Sequence, residues 1–253
     1  MRRCKRAEGN LTLFEPPSEW RPPALSDLPS WAGHKRVCVD IETRDDRLKK
    51  RGKLKGLGNG CRRGGYIVGV GFSIEGVCKT YLPFRHALGD NLPEEAVLAY
   101  LRHNAKHFTG ELIVANASYD LQYLHRADIR FPGIERVVDV LALAPLLNEH
   151  RRSYALDDVC EWLLGARAKD ERQLKKAAVE YNVHEKNGLW MMPARHVGAY
   201  VEADVDAPLR VWARLREEFD KQNLWGAANI DIGVTMPLIK MMERGVRIDV
   251  DHL

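Results

Sequence analysis

A chain of 253 residues, 45% of them hydrophobic, is long enough to bury one good-sized core with extensions. Lys plus Arg number 39 against 35 Asp plus Glu, a net charge of +4 that permits a polyanionic partner without demanding one. Five scattered cysteines with no C-x-x-C pair argue against a zinc ribbon or a disulfide framework, and no stretch has the apolar length of a signal peptide or membrane span, so a reducing cytosol is expected.

The first 35 residues contain Pro16-Pro17, Trp20-Arg21-Pro22-Pro23 and Pro29, which oppose helix and strand alike and predict an extended arm laid on a domain surface. Val37-Cys38-Val39-Asp40-Ile41 is a β-branched run that predicts a buried first strand. Residues 44–65 are rich in Lys, Arg and Gly, cannot bury themselves and predict a solvated loop. Two strands follow, 66–74 and 77–82, turning at Glu75-Gly76 to form an antiparallel meander with the first. A helix over 93–108 opens on Pro93-Glu94-Glu95.

Next comes a short apolar strand, 111–115, running into Asn116, a favourable N-cap for a helix near 117–127. A strand at 136–139 leads into an apolar helix through Leu147, and helices are expected over 155–164, 170–182, 194–222 and 228–244. Strands alternating with helices imply an α/β core, a mixed sheet with helices on its faces, followed by a helical C-terminal portion. Pro208 lacks an N–H, leaves the carbonyl of Asp204 without its helical partner and is expected to bend the long helix.

Three places carry candidate chemistry. Asp40 and Glu42 stand at i and i+2 at the end of the first strand, so both carboxylates face one side. Such triplets are common on solvated strand ends, but the C-terminal edge of a buried strand is where open α/β sheets place ligands. Asp120 lies just inside the helix that Asn116 opens, where it also suits the helix dipole. Tyr200 and Asp204, at i and i+4, share one face of a late helix beside Val197, Val201 and Leu209, where polar groups are costly unless something satisfies them.

D-x-E on the first strand, N-x3-D at a strand-to-helix junction and Y-x3-D on a late helix, in that order, resemble the DEDDy 3′→5′ exonucleases of the RNase H-like fold. The resemblance spans roughly 36–222. It is supported by Asp139, by Tyr154-Ala155-Leu156-Asp157-Asp158 and by Leu163-Leu164-Gly165, with Val140 departing where a Thr commonly follows the aspartate. The stretch 236–249 resembles the helix and turn that open the polymerase region of family A enzymes, and the N-terminal arm looks similar to phage-type members. Three segments are therefore expected: an arm over 1–35, the exonuclease domain over 36–222 and a polymerase-like helix and turn over 223–253. With no later residues to supply polymerase carboxylates, this chain is expected to lack polymerase activity.

The resemblance implies a proofreading module that hydrolyses the terminal phosphodiester of single-stranded or frayed DNA 3′ ends with two Mg²⁺ or Mn²⁺ ions. It would work in bacterial cytosol or a phage-infected host, beside a polymerase module and away from membranes. Asp40, Glu42, Asp120 and Asp204 would hold the ions, Asp120 largely through water, and Tyr200 would orient the attacking water. Thr43, Asn116 and the loop cations Lys49, Lys50, Arg51 and Lys53 are the expected DNA contacts. Two other readings stand beside this one: a stand-alone DEDDy ribonuclease trimming RNA 3′ ends, and a catalytically silent scaffold of the same fold.

Overall fold

A computed structural model describes residues 17–46, 60–169, 171–185, 187–249 and 252. Residues 1–16 of the arm and the loop cations Lys49, Lys50, Arg51 and Lys53 lie outside the described residues.

Five strands, β1 (Arg36–Arg44), β2 (Tyr66–Ile74), β3 (Cys78–Pro83), β4 (Glu111–Val114) and β5 (Arg136–Asp139), form one sheet in the order β3-β2-β1-β4-β5. β1, β2 and β3 are an antiparallel meander, whereas β4 runs parallel to β1 and β5 parallel to β4. Each parallel step is made by a helix, α1 (Glu94–His107) and then α2 (Ala117–Arg126). After β5 come α3 (Val140–Leu143), α4 (Leu156–Leu164), α5 (Arg172–Glu180), α6 (Gly198–Gln222) and α7 (Trp225–Arg244). The expected elements are all present. The apolar helix after β5 is one turn of α-helix continued by a 3-10 turn, and the long helix begins at Gly198 after a separate 3-10 turn over Ala194–His196. α6 runs without interruption through Pro208.

Alternation along β1 sorts its side chains between two cores. Val37, Val39 and Ile41 join the core roofed by α1 and α2, which also takes Trp31 and, from α7, Ile239. Cys38 faces the other way, into the core built with Val205, Leu209 and Trp212 of α6 and with α4. Asp40 and Glu42 have the parity of Cys38, so the strand that buries itself through its apolar residues turns its two acids toward α6. In the described part of the arm, Trp31 is fully buried against Phe72, and the Trp20 indole N–H donates to Glu202 Oε1 on α6 at 2.8 Å.

At the N-terminal ends of the parallel strands, buried Glu111 of β4 accepts from Arg36 Nε of β1 at 2.6 Å, Arg136 Nε of β5 at 2.7 Å and the Trp212 indole of α6 at 3.2 Å. Burial by itself would raise its pKa, but these donors more than offset that and hold the carboxylate below its usual range. This charged clasp fixes three strands and α6 in register.

α6 lies close on the sheet because Gly71 of β2, the Cα partner of Asp40, has no side chain. A Cβ at position 71 would stand 2.5 Å from Val201 Cγ1 and 3.0 Å from Val205 Cγ1. Gly71→Ala should therefore lower the unfolding free energy by about 1–3 kcal/mol through overpacking. The expected reading is a lower urea midpoint at unchanged m; an unchanged midpoint would mean that the sheet and α6 are not in tight contact there.

Candidate metal centre

The C-terminal ends of β1 and β4 point at one place, and three elements deliver acids to it. Carboxylate oxygens of Asp40 and Glu42 from β1 and of Asp204 from α6 all lie within 4.8 Å of one another. Asp120, in the first turn of α2, is outside that group of three, but it is buried and its Oδ2 has no hydrogen-bond partner. The charges of Asp40, Glu42 and Asp204 reach it. Tyr200 stands one turn before Asp204 on α6, half-buried, and a hydrogen bond from the phenol favours the ionised form of Asp204.

Asp40 and Glu42 keep part of their surface toward solvent, yet enough protein surrounds them that lost hydration is the main influence on both. Burial first, and then the charge of Asp204, raise Asp40 to about 7. Glu42 is pushed well above its ordinary value by burial and by Asp40 and Asp204. Asp120 is pushed up by burial and by the acids around it, Asp139 included. Asp204 is raised by burial against the opposing effects of Lys169 and Tyr200. The Tyr200 phenol is also raised, by burial and then by Asp204, Glu42 and Asp40, so it keeps its proton at neutral pH.

This is an all-oxygen donor set with excess negative charge and an orphaned buried oxygen, and it fits a hard divalent cation such as Mg²⁺ or Mn²⁺ better than any histidine or thiolate metal. Cys38, beneath the acids, is fully buried with its thiol pKa pushed up by burial, which keeps it a packing residue.

Other expected site residues are placed differently. Asn116 occupies the N-cap position of α2 in a left-handed conformation, φ 79°, but its side chain caps nothing; its Oδ1 accepts from Ser118 Oγ at 3.1 Å. The cap is supplied from β5: Asp139 accepts from the Asn116 and Ala117 N–H groups at 3.1 and 2.7 Å and from Leu141 N–H at 3.1 Å, so one carboxylate starts both α2 and α3. An αL residue cannot offer the extended backbone of an N-cap, which explains the substitution. Thr43 Oγ1 is hydrogen-bonded to Tyr119 Oη at 2.6 Å and so ties the end of β1 to the residue beside Asp120.

Sequence reasoning missed Lys169. Its ammonium donates to both Asp204 oxygens, at 2.6 and 2.7 Å, and lies 3.8 Å from the Tyr200 ring centroid. A lysine in Ala166-Arg167-Ala168-Lys169 reads as a solvated charge; only the tertiary structure buries it. Asp139 did carry a signal, an acid at the end of a strand directly before an apolar helical run.

No family model matches the sequence. It is 43% identical over 250 residues, 96% of this chain and 37% of the relative, to a DNA-directed DNA polymerase of Pseudomonas phage M6. The chain thus spans about a third of the length of the curated relatives it matches. Among solved structures it resembles Brucella melitensis NrnC bound to pGG, with a TM-score of 0.58, 15% identity and coverage of 88% of this chain and 93% of that one. NrnC with bound Mg²⁺ gives a TM-score of 0.54 at 16% identity, covering 88% and 94%. The apo form of a nuclease gives 0.55 at 13% identity, covering 85% and 88%.

The raised acids predict a pH dependence. Asp40 titrates near 3.8 when unperturbed and about 7 in the fold, so between those values the folded protein holds a proton that the unfolded chain has released. Its contribution to stability is therefore full below the lower value and is lost as pH rises through the upper one. Metal-free protein should melt at a lower temperature at about pH 7.5 than at about pH 5, and Mn²⁺ should raise Tm more at the higher pH. Asp40→Asn should flatten both trends; a parent Tm that ignores Mn²⁺ at every pH would count against the centre. In sequence the chain is homologous, along nearly its whole length, to part of a phage DNA-directed DNA polymerase, and its mixed α/β architecture is shared with the solved NrnC and nuclease structures.

Proposed function

We propose that the chain is the 3′→5′ exonuclease part of a family A, DEDDy-type phage DNA polymerase, removing nucleotides from single-stranded or frayed DNA 3′ ends as a proofreading step. The observation that carries this reading is the convergence of Asp40, Glu42 and Asp204 within 4.8 Å, beside Tyr200 and the unpartnered buried oxygen of Asp120. Homology to a polymerase makes DNA the favoured substrate, and pGG and Mg²⁺ in the NrnC structures support a nucleic-acid ligand and a hard cation.

When bound, two divalent ions supply Lewis-acid neutralisation of the attacked phosphate and an acidified water. Asp40, Glu42 and Asp204 would hold them, and the ions' charge would offset the lost hydration and mutual repulsion that raise these carboxylates. Asp120, with its unpartnered buried oxygen, would contribute a further acceptor, largely through water. Because Tyr200 keeps its proton, its hydroxyl holds and orients a water and does not act as the base.

Around this centre, the end of β1 offers a surface suited to a single strand. The Arg44 guanidinium lies 4.4 Å from the Trp190 ring centroid and 5.8 Å from that of Tyr66, and Arg85 lies 5.4 Å from the same Tyr66 ring. Alternating guanidinium and aromatic groups suit phosphates and stacked bases. The basic segment that follows β1 in sequence, with Lys49, Lys50, Arg51 and Lys53, extends the cationic surface in this reading, and Thr43 and Asn116 at the rim complete the proposed DNA contacts.

A primer–template with a 3′ mismatch should be shortened in the presence of Mg²⁺, a matched RNA strand far more slowly, and the double variant Asp40→Ala, Glu42→Ala should be inactive. Faster digestion of RNA would favour the ribonuclease reading, and a double variant as active as the parent would overturn both. Replacing Lys49, Lys50, Arg51 and Lys53 together by Ala should reduce the slope of log Kobs against log salt for single-stranded DNA by about 3, at roughly 0.7 per lost phosphate contact; an unchanged slope would remove the segment from the binding surface.

A further inference from the structure

Lys169 stands between α4 and α5, and its side chain and that of Asp204 are each only 10% exposed. A lysine ordinarily extends its stem over apolar surface and leaves the ammonium in water. Here the ammonium is drawn inward, donates to both oxygens of one buried carboxylate and lies over the Tyr200 ring. Its positive charge also favours the ionised forms of Asp40 and Glu42. It therefore touches Asp204 where a cation shared by Asp40, Glu42 and Asp204 would bind. A Mg²⁺ ion sits about 2.0–2.1 Å from its oxygen ligands. An ammonium 2.6 and 2.7 Å from the same two oxygens is then a second cation at contact distance, and the two repel.

We propose that Lys169 is a built-in counter-ion of the metal centre, which a divalent cation must displace from Asp204, so that this lysine sets the centre's metal affinity. The inference rests on the metal-dependent nuclease reading above. With the ammonium in place the acids are partly neutralised and held together; with it displaced, Asp204 and Tyr200 are free to engage the ion and water. The exchange makes the nuclease self-silencing when divalent ions are scarce, without unfolding the site.

Titration calorimetry with Mn²⁺ tests the idea, comparing the full chain with Lys169→Met, which keeps the stem and removes the charge, and Lys169→Arg, which keeps the charge. Removing the competitor should tighten Mn²⁺ binding in Lys169→Met by about fivefold or more while lowering the metal-free Tm at neutral pH. Lys169→Arg should remain near the parent. Equal or weaker Mn²⁺ binding by Lys169→Met would overturn the proposal and leave the metal centre standing, whereas a parent that binds no Mn²⁺ would remove the centre itself and the exchange with it.

A second readout needs no variant to bind metal. In a lysine-selective ¹H–¹⁵N spectrum of the parent, the slowly exchanging Lys169 ammonium signal should move to the position of free lysines on addition of diamagnetic Mg²⁺. A signal unmoved at saturating Mg²⁺ would show that the ammonium stays on Asp204 and would equally overturn the exchange.

Discussion

The structure depends on holding like charges close together where water screens them poorly. Four acids from β1, α2 and α6 meet at one end of the sheet, and the pKa of each is raised, burial being the leading cause. They stay because the backbones that carry them are fixed elsewhere. Cys38, Val39 and Ile41 bury β1 on both faces, and Gly71 lets α6 lie against the sheet beside Asp40. The surrounding packing bears the strain of the charges, as expected where a site is prepared for a cation that arrives later.

The two ends of the parallel strands show how the same residue types can do opposite things. At the N-terminal end, Glu111 is surrounded by Arg36, Arg136 and Trp212, so its charge is satisfied and acts as a fastener. At the C-terminal end, Asp40, Glu42 and Asp120 have far less opposing charge; Lys169 touches Asp204 and reaches Asp40 and Glu42 through its charge. Asp139 belongs to neither class. It spends its oxygens on the N–H groups that begin α2 and α3, and so fixes the angle at which α2 presents Asp120.

Much of this was legible in the residues. The β-branched run of β1, the turn at Glu75-Gly76 and the apolar spacing of α1 specify local structure strongly enough to be read directly, and the five-stranded mixed sheet follows from their order. The D-x-E, N-x3-D and Y-x3-D patterns locate the acids because strand parity and helical pitch are local rules. What was not legible is what depends on distant partners. Asn116 looks like a cap, but Asp139, 23 residues later, takes that role. Lys169 looks like surface charge until α6 is laid beside it, 35 residues on. α6 continues through Pro208 as one 25-residue helix.

One feature outside the acid cluster bears on how such a protein can change over time. Just past β1, the buried carboxylate of Asp45 accepts from Gly60 N–H at 2.6 Å and from Tyr123 Oη at 2.7 Å, and Gly60 approaches so closely that any side chain there would collide with it. The two ends of the intervening stretch are thus pinched together against α2. Because these two ends are held to each other and to α2, changes of length or charge between them need not move Asp40 and Glu42.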